Sequence, residues 1–128
     1  MATLLSLVVV FACTLFPFRM QFENAPVHSV RDALLITIGP DKAWDVLENV
    51  LLFLPLGFTL RGYFAQKRVG PLAALTAVLF LSAGLSYAVE VIQVFMPGRF
   101  ASLTDVASNV AGAGVGALFY AFWTRLNV

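Results

Sequence analysis

The chain predicts an all-α fold: an integral membrane bundle of four transmembrane helices with a long first extracytoplasmic loop. Three observations carry the prediction. Hydrophobic residues fill 60% of the 128 positions and charged residues only 12%. With a mean hydropathy of +0.89, that balance belongs to proteins solvated by lipid. The apolar residues gather into four runs, residues 2–18, 44–60, 71–96 and 103–123, and a hydrocarbon core of about 30 Å needs roughly 17–25 helical residues to cross it. The polar residues collect at the ends of these runs and between them, and no internal repeat or low-complexity tract divides the chain, so residues 1–128 read as one domain.

The first run, 2–18, has the position of a signal peptide. No Lys or Arg precedes it, however, and its end, Phe16-Pro17-Phe18-Arg19, lacks the small-residue cleavage pattern, so it is expected to be retained. Residues 19–43 form the long loop, with an apolar island at 33–38 that is too short to span and should lie at the interface or fold back on the bundle. In the second run Pro55 lacks an amide hydrogen and should bend the helix or open its ladder, a defect that neighbouring groups can repair, while Gly57 permits close approach. The link at 61–70 is short and basic, with Arg61, Lys67 and Arg68.

Cytoplasmic loops are enriched in Lys and Arg, so this link should face the cytoplasm, and both termini with it. The full count is even, since Arg19, Arg31, Lys42 and Arg99 fall on the opposite side against Arg61, Lys67, Arg68 and Arg125. The density of charge in the short link decides for the cytoplasmic side. Trp44, Tyr120 and Trp123 stand near the predicted boundaries, as an aromatic belt would.

With alternating helix directions, the start of the second run (Asp45, Glu48, Asn49), the end of the third (Tyr87, Glu90, Gln93) and the start of the fourth (Asp105, Ser108, Asn109) fall at one membrane face, whichever side that is. Spacings of three and four put Asp45 with Asn49, Glu90 with Gln93, and Asp105 with Asn109 on common helix sides. A polar pocket at the outer end of the bundle is expected from this phase. Below it, Gly112, Gly114 and Gly116 are expected to serve close helix contact.

Glu90, Arg99 and Asp105 are the candidate catalytic residues; Asp45, Asn49, Gln93, Ser102 and Asn109 are the candidate ligand-binding set. An ionisable residue at membrane depth marks a functional site by default, because burying its charge is unfavourable unless something pairs with it. Capping offers a competing account of Ser102 and Asp105, whose Ser-x-x-Asp spacing fits a helix N-terminus. Arg99 has the planar fork that clamps a carboxylate or phosphate with two bonds, so a purely structural Glu-Arg-Asp network stands beside the ligand-site reading.

Asp45, Glu48, Glu90 and Asp105 set four carboxylates against one obvious cation, and like charges must be offset by protonation, a bound cation or a cationic partner. A divalent cation such as magnesium would suit oxygen ligands. Zinc would not, since His28 and Cys13 are the sole residues of their types. His28 reads as an exposed loop residue and Cys13 as a packing residue. No Ser-His-Asp set carries a nucleophile motif, and a net charge of +1 without a basic run gives no support for nucleic acid as a partner.

Two stretches carry a family resemblance. Asn49-Val-Leu-Leu-Phe53-Leu-Pro55-Leu-Gly57-Phe58, together with the spaced set Glu90, Gln93, Pro97, Gly98, Arg99, Ser102, Asp105, Asn109, Gly112 and Gly116, resembles the VanZ-like family of small membrane proteins over residues 41–120. The resemblance implies a multi-helix protein of the bacterial cytoplasmic (inner) membrane, in a family whose founding member is associated with resistance to the glycopeptide teicoplanin. It implies no settled biochemical activity. Two function classes follow. In one, the pocket recognises or modifies an anionic lipid-linked envelope molecule or antibiotic target, with membrane lipids or such a precursor as partner. In the other, a non-enzymatic module binds a lipid, drug or protein and the polar network holds its helices in register. Ion-coupled transport is a weaker third, because four short helices offer a small pathway.

Overall fold

The computed structural model describes residues 1–16, 43–96 and 102–127, and these form four helices: α1 (Ala2–Leu15), α2 (Ala43–Gln66), α3 (Pro71–Gln93) and α4 (Leu103–Leu126). The expected long loop lies outside the described residues, as do His28 and Arg99.

Three helices, α2, α3 and α4, are long and apolar enough to cross a membrane; α1 is shorter, with 14 residues. At 1.5 Å per residue α1 spans about 21 Å, less than the hydrocarbon thickness expected of the first run. Its end has a local cause. Phe16 is extended (φ −78°, ψ 139°), the conformation that a following proline, here Pro17, imposes. α2 and α4 overrun the apolar segments at their far ends, reaching Gln66 and Leu126, because a charged residue such as Arg61 or Arg125 marks the edge of lipid without interrupting a backbone ladder. α3 stops at Gln93, and the chain tightens through Phe95 N–H to Ile92 O (3.1 Å) and Met96 N–H to Gln93 O (2.9 Å), three-residue turns that lead into Pro97.

The contacts fix the helix directions. Val50, Leu54 and the Arg61–Gly62 turn of α2 meet Gly112, Gly116 and Tyr120 of α4 in rising order, so these two helices run parallel. Ser86 pairs with Asn109 and Glu90 with Ser102, so α3 runs antiparallel to α4. Ser6 approaches Thr59, and Thr14 meets Gln93, which sets α1 antiparallel to α2.

Among the described helices α2 and α4 approach most closely because glycine makes it so. A Cβ on Gly112 would collide with the Val50 carbonyl, one on Gly116 with the Leu54 carbonyl, and one on Gly57 with the backbone of Ala113. Backbones this close gain dispersion and Cα–H···O contacts, which must replace a hydrophobic driving force that lipid does not supply. Gly114 meets only the Leu79 side chain.

Val10, Phe53, Leu56, Val78, Ala113 and Ala117 fill the main core, and Leu15, Val89 and Met96 a smaller one near the ends of α1 and α3. Around them the distribution is inverted relative to a soluble protein. Leu72 and Phe80 are each 77% exposed, whereas Ser82, Ser86, Glu90 and Asn109 are buried. Apolar outside and polar inside is what a hydrocarbon solvent selects.

Candidate functional site

The alternating directions bring the start of α2, the end of α3 and the start of α4 to one end of the bundle. Glu90, at the start of the last turn of α3, is only 2% exposed. Its Oε2 accepts the backbone N–H of Ser102 at 2.9 Å. Ser102 is the N-cap of α4, extended at φ −130° and ψ 126°, and its Oγ accepts the Asp105 N–H at 3.4 Å. Asp105 stands in the first turn of α4, where the helix dipole favours a carboxylate. Its Oδ1 accepts from Asn49 Nδ2 at 2.8 Å. One chain of hydrogen bonds therefore ties α3, the entry to α4, and α2 together. Each carboxylate receives at least one N–H, the form of pairing that makes a charged group tolerable away from water.

Two further candidates are engaged nearby. Gln93 Nε2 donates to the Thr14 carbonyl at 2.9 Å, one of the last carbonyls of α1, which lack intrahelical donors by construction. Asn109, 2% exposed, donates from Nδ2 to Ser86 Oγ at 2.8 Å. Its Oδ1 is buried without a hydrogen-bond partner among the described residues, and so is Ser82 Oγ. Ser82, Ser86 and Glu90 succeed one another at intervals of four along α3, forming a polar stripe that descends into the bundle from the carboxylate layer.

The structure thus unites Glu90, Ser102, Asp105 and Asn49, and sets Gln93 and Asn109 within the same end of the bundle. Asp45 and Glu48 are apart from this network. Both are exposed, one on the first turn of α2 and one on the next, whereas Glu90 is buried and Asp105 half-buried within the network. The physical reason is helical phase: Asn49 faces α4, and Glu48 is one residue, or about 100°, away from it. Asp45 shares the side of Asn49 but lies a turn nearer the helix end, where it is exposed. Among the described residues no three of His, Cys, Asp and Glu converge. Arg99 falls outside the described residues.

Sequence reasoning missed Ser86, Ser82 and Thr14. Serine in an apolar run reads as background, yet the four-residue interval from Ser82 through Ser86 to Glu90 was a usable signal. Thr14 contributes a backbone carbonyl, which no side-chain pattern reveals.

A buried carboxylate beside a second, amide-oriented carboxylate can act as acceptor, as acid or base, or as one half of an ion pair with a cationic ligand. Comparisons with known proteins agree with the sequence resemblance. A family model described as VanZ/LLP1 matches residues 3–124. Protein VanZ of Enterococcus faecium is 30% identical over 121 residues, covering 91% of this chain and 71% of that protein. No solved structure gives a significant match.

Proposed function

The chain belongs to the VanZ/LLP1 family, and on that premise we propose that it is a bacterial envelope protein of the cytoplasmic membrane whose polar end recognises or modifies an anionic lipid-linked envelope molecule or a glycopeptide-type antibiotic target. The observation that carries the reading is the Glu90–Ser102–Asp105–Asn49 network at one end of an otherwise apolar bundle. In this proposal Arg99 clamps the anionic group, Glu90 and Asp105 supply acid and base, and Asn49 and Asn109 orient the headgroup. Asp45, Gln93 and Ser102 complete the rim. The acidic end faces outward and both termini face the cytoplasm, which is supported by Arg61, Lys67, Arg68 and Arg125 all standing at the other end.

A second reading has its own support. Ser102 caps α4 and Gln93 serves the end of α1, so the same polar groups can be a device for holding helices in register, in a module without turnover.

Replacing Glu90 with Gln, Arg99 with Lys and Asp105 with Asn separates the two. Membrane protein level and susceptibility to a glycopeptide antibiotic are measured for each. The site reading expects normal protein level with lost phenotype. Loss of phenotype only in proportion to loss of protein would leave the register-holding reading in its place.

A further inference from the structure

The charges of the described residues are segregated: Asp45, Glu48, Glu90 and Asp105 at one end of the bundle, Arg61, Lys67, Arg68 and Arg125 at the other. At the basic end one cation is built into the fold. The Arg61 guanidinium lies 5.9 Å from the centre of the Tyr120 ring. Tyr120 is itself seated, edge-on to Phe58 with centroids 5.2 Å apart, and over Gly62, where any Cβ would come within 2.9 Å of its ring. Arg61 Nη1 is buried and has no hydrogen-bond partner among the described residues. None of the described acids can reach it: Glu48, the nearest one along α2, is about 20 Å down the helix axis.

The Arg61 side chain is half-buried and its Nη1 has no acceptor among the described residues, which supply no anion at this end, so the guanidinium is a donor open to one from outside. Lys67, over the Tyr63 ring at 5.8 Å, and Arg68, in the tight link, add charge beside it. Leu72, Phe122, Trp123 and Leu126 are exposed at this same end, a surface that an occupant with acyl chains as well as a phosphate would match. We propose that this end holds an anionic phospholipid of the adjoining leaflet, its phosphate on Arg61 and its negative charge further offset by Lys67 and Arg68. The site is separate from the carboxylate end and independent of the function proposed for it.

The two tryptophans make the test local, because Trp44 stands at the acidic end and Trp123 at the basic end. The full chain carrying Trp44→Phe is reconstituted in phosphatidylcholine vesicles, and quenching of Trp123 by brominated phosphatidylglycerol is compared with quenching by brominated phosphatidylcholine. The expected preference for the anionic lipid is about fivefold or more, the factor contributed by one basic residue at a membrane surface. It should fall severalfold in Arg61→Gln and in Lys67→Gln/Arg68→Gln, and be absent at Trp44 in a Trp123→Phe protein. Arg61→Lys, which keeps the charge and loses the fork, should retain part of it. Should Arg61→Gln fail to fold, the Lys67→Gln/Arg68→Gln protein decides alone, an undiminished preference refuting the site. Equal quenching by both lipids, an equal preference at Trp44, or full preference in a folded Arg61→Gln protein would each overturn the proposal. So would abolition of the preference by millimolar inorganic phosphate at constant ionic strength, which would make the ligand a soluble anion.

Discussion

Asn109 shows how the residue scale works in this molecule. Its amide donates to Ser86 at 2.8 Å within a wholly buried contact, and its carbonyl oxygen is left without a partner among the described residues. Polar pairs inside membrane bundles contribute about 0.6 kcal/mol on average and up to roughly 1.7 kcal/mol, since the separated helices also find partners. A double-mutant cycle on Ser86→Ala and Asn109→Ala, read by thermal unfolding in detergent, should therefore give a favourable coupling of about that size. Zero coupling would mean that the contact does not hold α3 to α4. The carboxylates were legible as candidates from residue type and phase alone, because Glu90 and Asp105 are conspicuous in apolar surroundings. Their partners were not. Glu90 accepts the backbone amide of Ser102, and Gln93 donates to a backbone carbonyl of α1; backbone partners leave no trace in side-chain spacing.

At the scale of elements, two helices depend on special backbone positions. Gly112 lies against the Val50 carbonyl, whereas nothing lies within 4 Å of a Cβ added at Gly84. Gly112→Ala should then destabilise the protein by about 1–3 kcal/mol through overpacking, while Gly84→Ala should be neutral or stabilise by up to about 1 kcal/mol through helix propensity. Unfolding midpoints of both variants in one detergent check this. α2 ends in a left-handed residue, Arg68 at φ 58°, with Val69 N–H bonded back to Phe64 O at 3.0 Å. Glycine is the usual occupant of that position, so Arg68→Gly should stabilise the helix end by about 0.5–1 kcal/mol, measured by the same midpoints.

The close approach of glycine-bearing helices was readable from the four-residue spacing of Gly112 and Gly116. The length of α1 was not, because hydropathy counts residues through Phe18 whereas the backbone leaves the helix at Phe16, ahead of Pro17.

For the whole molecule, the legible feature was the gathering of polar residues at one end, which follows from alternation of helix direction and survives inversion of the bundle. The described structure puts Arg61, Lys67, Arg68 and Arg125 together at the opposite end, the short link among them carrying the densest basic charge. The positive-inside rule then favours the basic end in the cytoplasm. With Cys13 replaced by Ser, cysteines introduced at Glu48 and at Lys67 should react from opposite sides: Glu48→Cys with an impermeant thiol reagent on intact cells, Lys67→Cys only after permeabilisation. The reverse pattern would turn the bundle over and move the carboxylate end to the cytoplasm.

Whether the carboxylate end receives an anionic envelope molecule is tested most directly by the lipid that the purified protein retains. Wild type, Glu90→Gln and Arg99→Lys are purified from the same membranes, matched for folded protein, and their extracted lipids compared by mass spectrometry. A phosphate- or carboxylate-bearing lipid-linked envelope molecule should be enriched with wild type and reduced about tenfold in Arg99→Lys, the loss expected for one charge-assisted contact, while Glu90→Gln, which removes a proposed acid/base group and no anion contact, should retain it. Identical lipid profiles in all three proteins would contradict it.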